Sequence, residues 1–221
     1  MTPIAARAGT MQICVAEDGG AFGCSATSST GALTFSPSLA NFGNVTVASS
    51  GVPIENNPDL ATTDLSADTI TGFTGTHTLD IRVFQTGLTS VNANLQSTFT
   101  VNNLIGTSAF AGPSTLSDFT GGSGTSLGNP LHSDTFGAVP IGATIEGPTL
   151  INGITSDAQE FLVTFTQAGQ SVTDTIQTIG VAAAVPEPGS MMILATGALG
   201  LLWARKSGRK IFKRDDTTTN A

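Results

Sequence analysis

Residues 91–101 read VNANLQSTFTV. Val91, Ala93, Leu95, Ser97, Phe99 and Val101 take the odd positions, and amides or hydroxyls take the even ones. A period of two sends these sets to opposite faces, which predicts a strand with one face in a core and one in water. The pattern repeats outward along the chain. Leu79, Ile81 and Val83 alternate with Asp80 and Arg82, which share the other face and are placed to pair there. Phe161, Val163 and Phe165 mark another strand, Val45 and Val47 one more, and Val172 to Ile179 a weaker one. Gly-, Pro- and Asn-rich stretches at 51–58 (GVPIENNP) and 121–130 (GGSGTSLGNP) read as loops between them. No stretch before residue 180 carries a helical stripe. Short alternating strands between turn signals predict an all-β domain, an antiparallel β-sandwich with the jelly roll among its forms.

Residues 9–182 form this expected domain. They hold no Tyr and no Lys, and their length suits a single sizeable core. Residues 1–8 read as a leader remnant or a disordered start. They lack the apolar core of a secretory leader, while Ala6-Arg7-Ala8 resembles the small-x-small end of a cleavage site, so a leader is expected upstream of Met1. Cys14 and Cys24 flank Asp18-Gly19-Gly20, a strong turn signal. A hairpin centred on Gly19 puts Cys14 opposite Cys24 and Ala16 opposite Phe22. The symmetry favours a disulfide, worth roughly 2–3 kcal/mol for so short a loop, over two free core thiols.

No catalytic motif has the context it needs. Residues 124–128 (GTSLG) match Gly-x-Ser-x-Gly in letters but fall within a stretch read as a loop, with no strand-to-helix elbow. His-x-x-x-His, Gly-x-Gly-x-x-Gly and Gly-Lys-Ser/Thr do not occur before residue 185. His77 begins the strand 77–85 and His132 is read as a loop residue, each on the surface. Glu55, Glu146, Glu160 and the aspartates hold enough carboxylates for a glycosidase, but no spacing selects a pair. Asp59, Asp64 and Asp68 read as an exposed acidic loop without EF-hand spacing. Asn44-Val45-Thr46 is read as a chance match to a glycosylation acceptor. No enzyme, metal or cofactor is expected. Residues 1–184 carry thirteen acids against Arg7 and Arg82, which excludes nucleic acid as a partner.

The end of the chain differs in kind. Residues 183–188 are an extended linker containing Val185, Pro186, Glu187 and Pro188, since each proline fixes φ and lacks an amide proton. Gly189 to Ala204 is sixteen residues without a charge. As a helix this rises about 24 Å, against a hydrocarbon core of about 30 Å, and the interfacial Trp203 makes up part of the difference. It reads as a transmembrane helix in the lipid bilayer. Residues 205–221 are a basic tail holding Arg205, Lys206, Arg209, Lys210, Lys213 and Arg214. This cluster acts as a membrane stop signal and places the tail in the cytoplasm, with the large domain outside.

In that order, Val-Pro-Glu-Pro, short helix and basic cluster, residues 185–210 resemble the PEP-CTERM sorting signal. The resemblance implies recognition by an exosortase, a membrane enzyme that processes the protein near the motif and passes it to the surface. It also implies a Gram-negative host that builds an exopolysaccharide matrix. The expected protein is therefore anchored at the inner membrane with its N-terminal domain outside, then placed at the cell surface or secreted. Its expected role is structural or adhesive, without catalysis. The alternative is a module that binds polysaccharide or calcium through polar strand faces and acidic loops.

Overall fold

The computed structural model describes residues 9–51, 59–102, 113–137 and 141–181, and every regular element among them is a β-strand. The strands are β1 (Thr10–Glu17), β2 (Gly23–Cys24), β3 (Ala32–Phe35), β4 (Phe42–Ser50), β5 (Asp59–Thr69), β6 (His77–Asn102), β7 (Ser114–Ser123), β8 (Ser126–Phe136), β9 (Ile141–Phe165) and β10 (Ser171–Val181). All pairings are antiparallel. Main-chain order is β3-β4-β5-β10-β6-β9-β7-β8, with β1 joined to β6 and β2 to β1.

Two long strands organise the molecule. The first part of β6 lies between β1, from Thr10↔Thr86 to Glu17↔Leu79, and the last part of β9, from His77↔Phe165 to Thr86↔Ser156. Further on, β10 replaces β1 as its neighbour, from Val181↔Asn94 to Thr173↔Asn102, and the first part of β9 lies on the other side. A two-layer sandwich would have two separately bonded sheets. Here β6 and β9 run through both layers, so the hydrogen bonding is continuous and the sheet curls into a half-barrel. The expectation of an all-β antiparallel domain holds at that level. The transmembrane helix expected at 189–204 lies outside the described residues.

One core fills the curl. Ile13, Leu79, Ile81, Leu116, Phe161 and Val163 from one half meet Val47, Leu65, Phe99, Val101, Val172 and Ile176 from the other, all fully buried. Burying each such side chain contributes roughly 1.5–3 kcal/mol, enough to set which face of every strand turns inward. The period-two positions at 79–83, 95–101 and 161–165 supply this core as their alternation requires. A smaller cluster on the opposite face joins Cys14, Phe84 and Ala158 under Phe22, Phe119 and Leu127. There the β1–β2 and β7–β8 hairpins cover what would otherwise be open sheet.

The β1–β2 hairpin turns through Asp18 and Gly19, both with positive φ (53° and 67°), and the Gly20 amide donates to the Glu17 carbonyl at 2.9 Å. Two positive φ values in succession match the twist of the flanking strands, and glycine adopts them without a Cβ penalty. Cys14 pairs with Cys24 across the ladder and the two form a disulfide. The described pairing ends at Val15↔Gly23, so Ala16 and Phe22 are not a ladder pair.

Two expected loops are strands instead. Residues 121–130 finish β7, turn at Gly124-Thr125 and start β8. Glycine is needed there for close approach, since a Cβ on Gly128 would lie 2.1 Å from the Thr120 carbonyl oxygen. Asp64 and Asp68 belong to β5, where they alternate with the buried Thr63, Leu65 and Ala67. Their carboxylates accept from Thr175 at 2.7 Å and from the Asn44 amide at 2.6 Å, respectively.

Candidate functional site

The turn that carries Asp18 also brings Glu17 and Asp18 to His77 at the start of β6, with potential metal-ligating atoms within 4.8 Å of one another. Their bonds decide what the cluster does. His77 Nδ1 is 2.6 Å from Asp18 Oδ2, and Nε2 is 3.0 Å from the Thr74 carbonyl oxygen. Both partners accept, so both ring nitrogens donate and the ring is imidazolium. Asn41 Nδ2, 3.3 Å from Nδ1, is itself a donor and is bonded instead to Glu17 Oε1. Hydrogen bonding to Asp18 raises the His77 pKa, outweighing the opposing effect of partial burial. Burial pushes the Asp18 carboxyl up, but bonds from His77 and Thr78 outweigh it and hold it below its ordinary value. The remaining carboxylate oxygens accept backbone amides, Thr78 at 2.8 Å on Asp18 and Ala40 at 3.1 Å on Glu17. The protonated imidazole thus stands where a cation would, and ties the hairpin tip to β6.

Arg82 is the one Lys or Arg among the described residues. Its guanidinium bonds Asp80 at 2.9 Å, Glu160 at 3.0 Å and the Thr125 carbonyl at 2.7 Å, and it sits 4.5 Å from the centre of the Phe22 ring. Burial raises both carboxyl pKa values; Asp80 raises that of Glu160 further, and Arg82 draws both back down. This pairs Asp80 with Arg82 as the alternation predicts, and adds Glu160 from the neighbouring strand.

A third arrangement lies in the interior. Ser97 Oγ is 2.7 Å from Asp118 Oδ2 and 2.7 Å from His132 Nδ1. Thr178 donates to the same Asp118 oxygen at 2.7 Å, Gln159 Nε2 to Thr178 at 3.0 Å, and Thr63 to Gln159 Oε1 at 2.5 Å. Ser49 lies 2.9 Å from Thr63, and Thr149 lies 2.9 Å from His132 Nε2. An ionised carboxylate can only accept, so Ser97 donates to it and accepts the hydrogen bond of His132 Nδ1–H on its own oxygen. Every hydroxyl and amide in both arms then points its hydrogen toward Asp118. Burial lifts the Asp118 pKa to about 6, although Thr178 and Ser97 pull it down. Asp157 beside it is raised further, by burial and then by the charge and hydrogen bonding of Asp118. Two buried carboxyls in contact cannot both ionise, so Asp157 keeps the proton. Asp174 is a third buried acid, at about 7 through burial; Ser114 and the Asn102 backbone lie nearby and ease it only in part. Its two oxygens have no hydrogen bond of good geometry among the described residues.

Ser97, His132 and an aspartate together suggest a nucleophile, but the wiring is wrong for one. The acid accepts from serine instead of orienting histidine, and histidine donates to serine instead of taking its proton. Ser97 and Asp118 are fully buried. Burial also lowers the His132 pKa, with Glu146 opposing, so the ring is neutral.

Among the residues singled out from sequence, Cys14 and Cys24 are brought together and His77 begins its strand. His132 is not a surface loop residue: it lies inside β8 at 8% exposure, held by Ser97 and Thr149. Val185, Pro186, Glu187, Pro188 and the basic residues Arg205, Lys206, Arg209, Lys210, Lys213 and Arg214 lie outside the described residues, as does Glu55. Sequence reasoning missed the interior acids, although Ser97, Asp174 and Thr178 occupy apolar-phase positions of their strands, which is the available signal. Among the described residues no helix is long and apolar enough to cross a membrane.

No curated protein matches the chain. Among solved structures it is similar to the enzymatically active domain of tailspike protein 4 of bacteriophage CBA120, at 11% identity and a TM-score of 0.32. That match covers 69% of this chain and spans 20% of the tailspike chain. Residues 184–206 match the family of the PEP-CTERM protein-sorting motif. They include Val185, Pro186, Glu187, Pro188, the apolar run and the first two basic residues, so the chain carries a PEP-CTERM protein-sorting motif.

Proposed function

We propose that the chain is an exported surface or extracellular-matrix protein, structural or adhesive and without catalysis, sorted by an exosortase. The sorting motif at 184–206 carries this reading. Residues 189–204 hold the protein in the inner membrane, the basic tail stays in the cytoplasm, and the β domain lies outside until processing sends it to the surface. The Cys14–Cys24 disulfide supports an oxidising destination. The inward wiring of Ser97, His132 and Asp118 supports a structural role for the interior. Mass spectrometry of the mature C-terminus in membrane and secreted fractions tests the sorting. Glu187→Ala, or removal of the basic cluster, is expected to trap or mislocalise the protein. Unchanged release from both variants would refute the sorting role.

A second reading, binding to exopolysaccharide, draws on the outer face of β4, β5, β10 and β6. Ladder registers there align Thr46, Ser66, Thr173 and Asn102 in one row and Ala48, Asp64, Thr175 and Thr100 in the next. Such a face is hydroxyl-rich and without cations, which suits a neutral glycan. Calorimetry with matrix polysaccharide and with Ca²⁺ separates the two readings, and no heat in either titration removes this one.

A further inference from the structure

Among the described residues the first part of β9, residues 141–146, has a bonded neighbour on one flank only. These residues pair with β6, and no described strand pairs with their other side, since β7 joins β9 only at 157–163. An open edge of this length presents unpaired amides and carbonyls, and such edges are ordinarily guarded by lysine, proline or a bulge. Residues 141–146 read IGATIE and have no lysine or proline.

The outward face of this edge is apolar. Ile141 pairs with Asn102, Ala143 with Thr100 and Ile145 with Thr98, all on the side away from the core. The register shift between Leu95 and Ser97 then brings Leu150 opposite Asn94, on that same outer side. Ile141, Ile145 and Leu150 are 73%, 62% and 65% exposed, while the next inward residue, Ile151, is buried. The stripe is also neutral: its outward neighbours on β6 are Asn and Thr, and Glu146 lies opposite the inward Ser97. Elsewhere the domain is strongly anionic, so a second copy meets least like-charge repulsion here.

Residues 141–145 read Ile-Gly-Ala-Thr-Ile, with Ile and Ala placed symmetrically about Ala143. Antiparallel pairing about a two-fold axis at Ala143 therefore sets Ile141 of each copy opposite Ile145 of the other. The same patch serves both partners, as a closed two-fold interface requires. From this we propose that residues 141–145 form an edge-to-edge contact between two copies of the chain, joining their half-barrels into one sheet. The proposal does not depend on the sorting reading.

The test uses the full chain in detergent micelles, where the terminal apolar segment is kept from driving association. Sedimentation is expected to show a concentration-dependent dimer. Ile145→Lys should raise its dissociation constant about tenfold or more with the unfolding midpoint unchanged, because the side chain points outward. Ala143→Cys should crosslink copy to copy on oxidation, whereas Leu150→Cys, equally open but out of register, should not. The proposal is overturned by a monomer at about 10⁻⁴ M, by a dimer indifferent to Ile145→Lys, or by crosslinking at Leu150 that equals or exceeds that at Ala143.

Discussion

Ser97 and Asp118 are hydrogen-bonded at 2.7 Å across the interior, joining β6 to β7 from opposite walls of the half-barrel. Removing the hydroxyl takes one donor from the buried carboxylate and the acceptor from His132 Nδ1. Ser97→Ala is expected to cost about 1–3 kcal/mol, read from urea unfolding. Asp118→Asn in the same background should recover part of the loss, because the acceptor left short is then uncharged.

Stability should fall as the medium turns alkaline. Asp118, at about 6, and Asp174, at about 7, both titrate above the unfolded carboxyl value of 3.8, and Asp157 is higher still. Between those limits the folded state holds more protons than the unfolded one, so each acid contributes most at low pH and loses that advantage as pH rises toward its folded value. His132 acts oppositely, since its lowered pKa disfavours the fold in acid. The acids outnumber it. Unfolding free energy should therefore drop between pH 5 and pH 8, and Asp174→Asn should flatten that slope by on the order of 1–3 kcal/mol.

At the hairpin tip the sign is set by His77. Its raised pKa means the Asp18 pair helps fully below the unfolded imidazole value and fades as pH climbs through the folded one. His77→Gln should lower the melting temperature at pH 6 and matter little at pH 9. The His77 ring also meets Phe73 edge-on, with centroids 5.0 Å apart, and an equal loss at both pH values would show that this packing, not charge, is what the ring supplies.

Arg82 tests fork geometry. Nε and Nη2 reach Asp80 while Nε also serves Glu160, an arrangement that a single ammonium cannot reproduce. Arg82→Lys should destabilise by about 1–2 kcal/mol, and Arg82→Met by more, because two half-buried carboxyls are then left facing each other. Denaturant titration of both variants provides the comparison.

Cys14→Ser with Cys24→Ser should cost roughly 2–3 kcal/mol. A reductant should shift the wild-type unfolding midpoint to that of the double variant, and leave the variant unmoved.

What could be read from the chain followed burial. Wherever a strand had one wet and one dry face, as at Leu79–Val83 or Phe161–Phe165, its alternation named the core directly. Reading failed where side chains gave way to backbone contact. Gly121 to Gly128 looked like slack chain because nothing in their composition records that two main chains meet there. Asp59, Asp64 and Asp68 drew attention as acids, which obscured the Thr63, Leu65 and Ala67 rhythm between them. The interior carboxyls were hidden for a different reason: Asp118 and Asp157 come from separate strands, and only the fold brings them together. The continuous sheet was equally beyond reach, since nothing local says that β6 changes neighbours midway.

The last strand, β10, is flanked by β5 on one side and β6 on the other, and the described domain ends on it at Val181. Tension applied through that end has to shear two antiparallel ladders at once, whereas a peripheral strand would unzip one rung at a time. A pull entering at the middle of the fabric meets both ladders together, which makes the domain mechanically robust in that direction. Single-molecule pulling from the C-terminal end should accordingly meet a higher rupture force than pulling through β3.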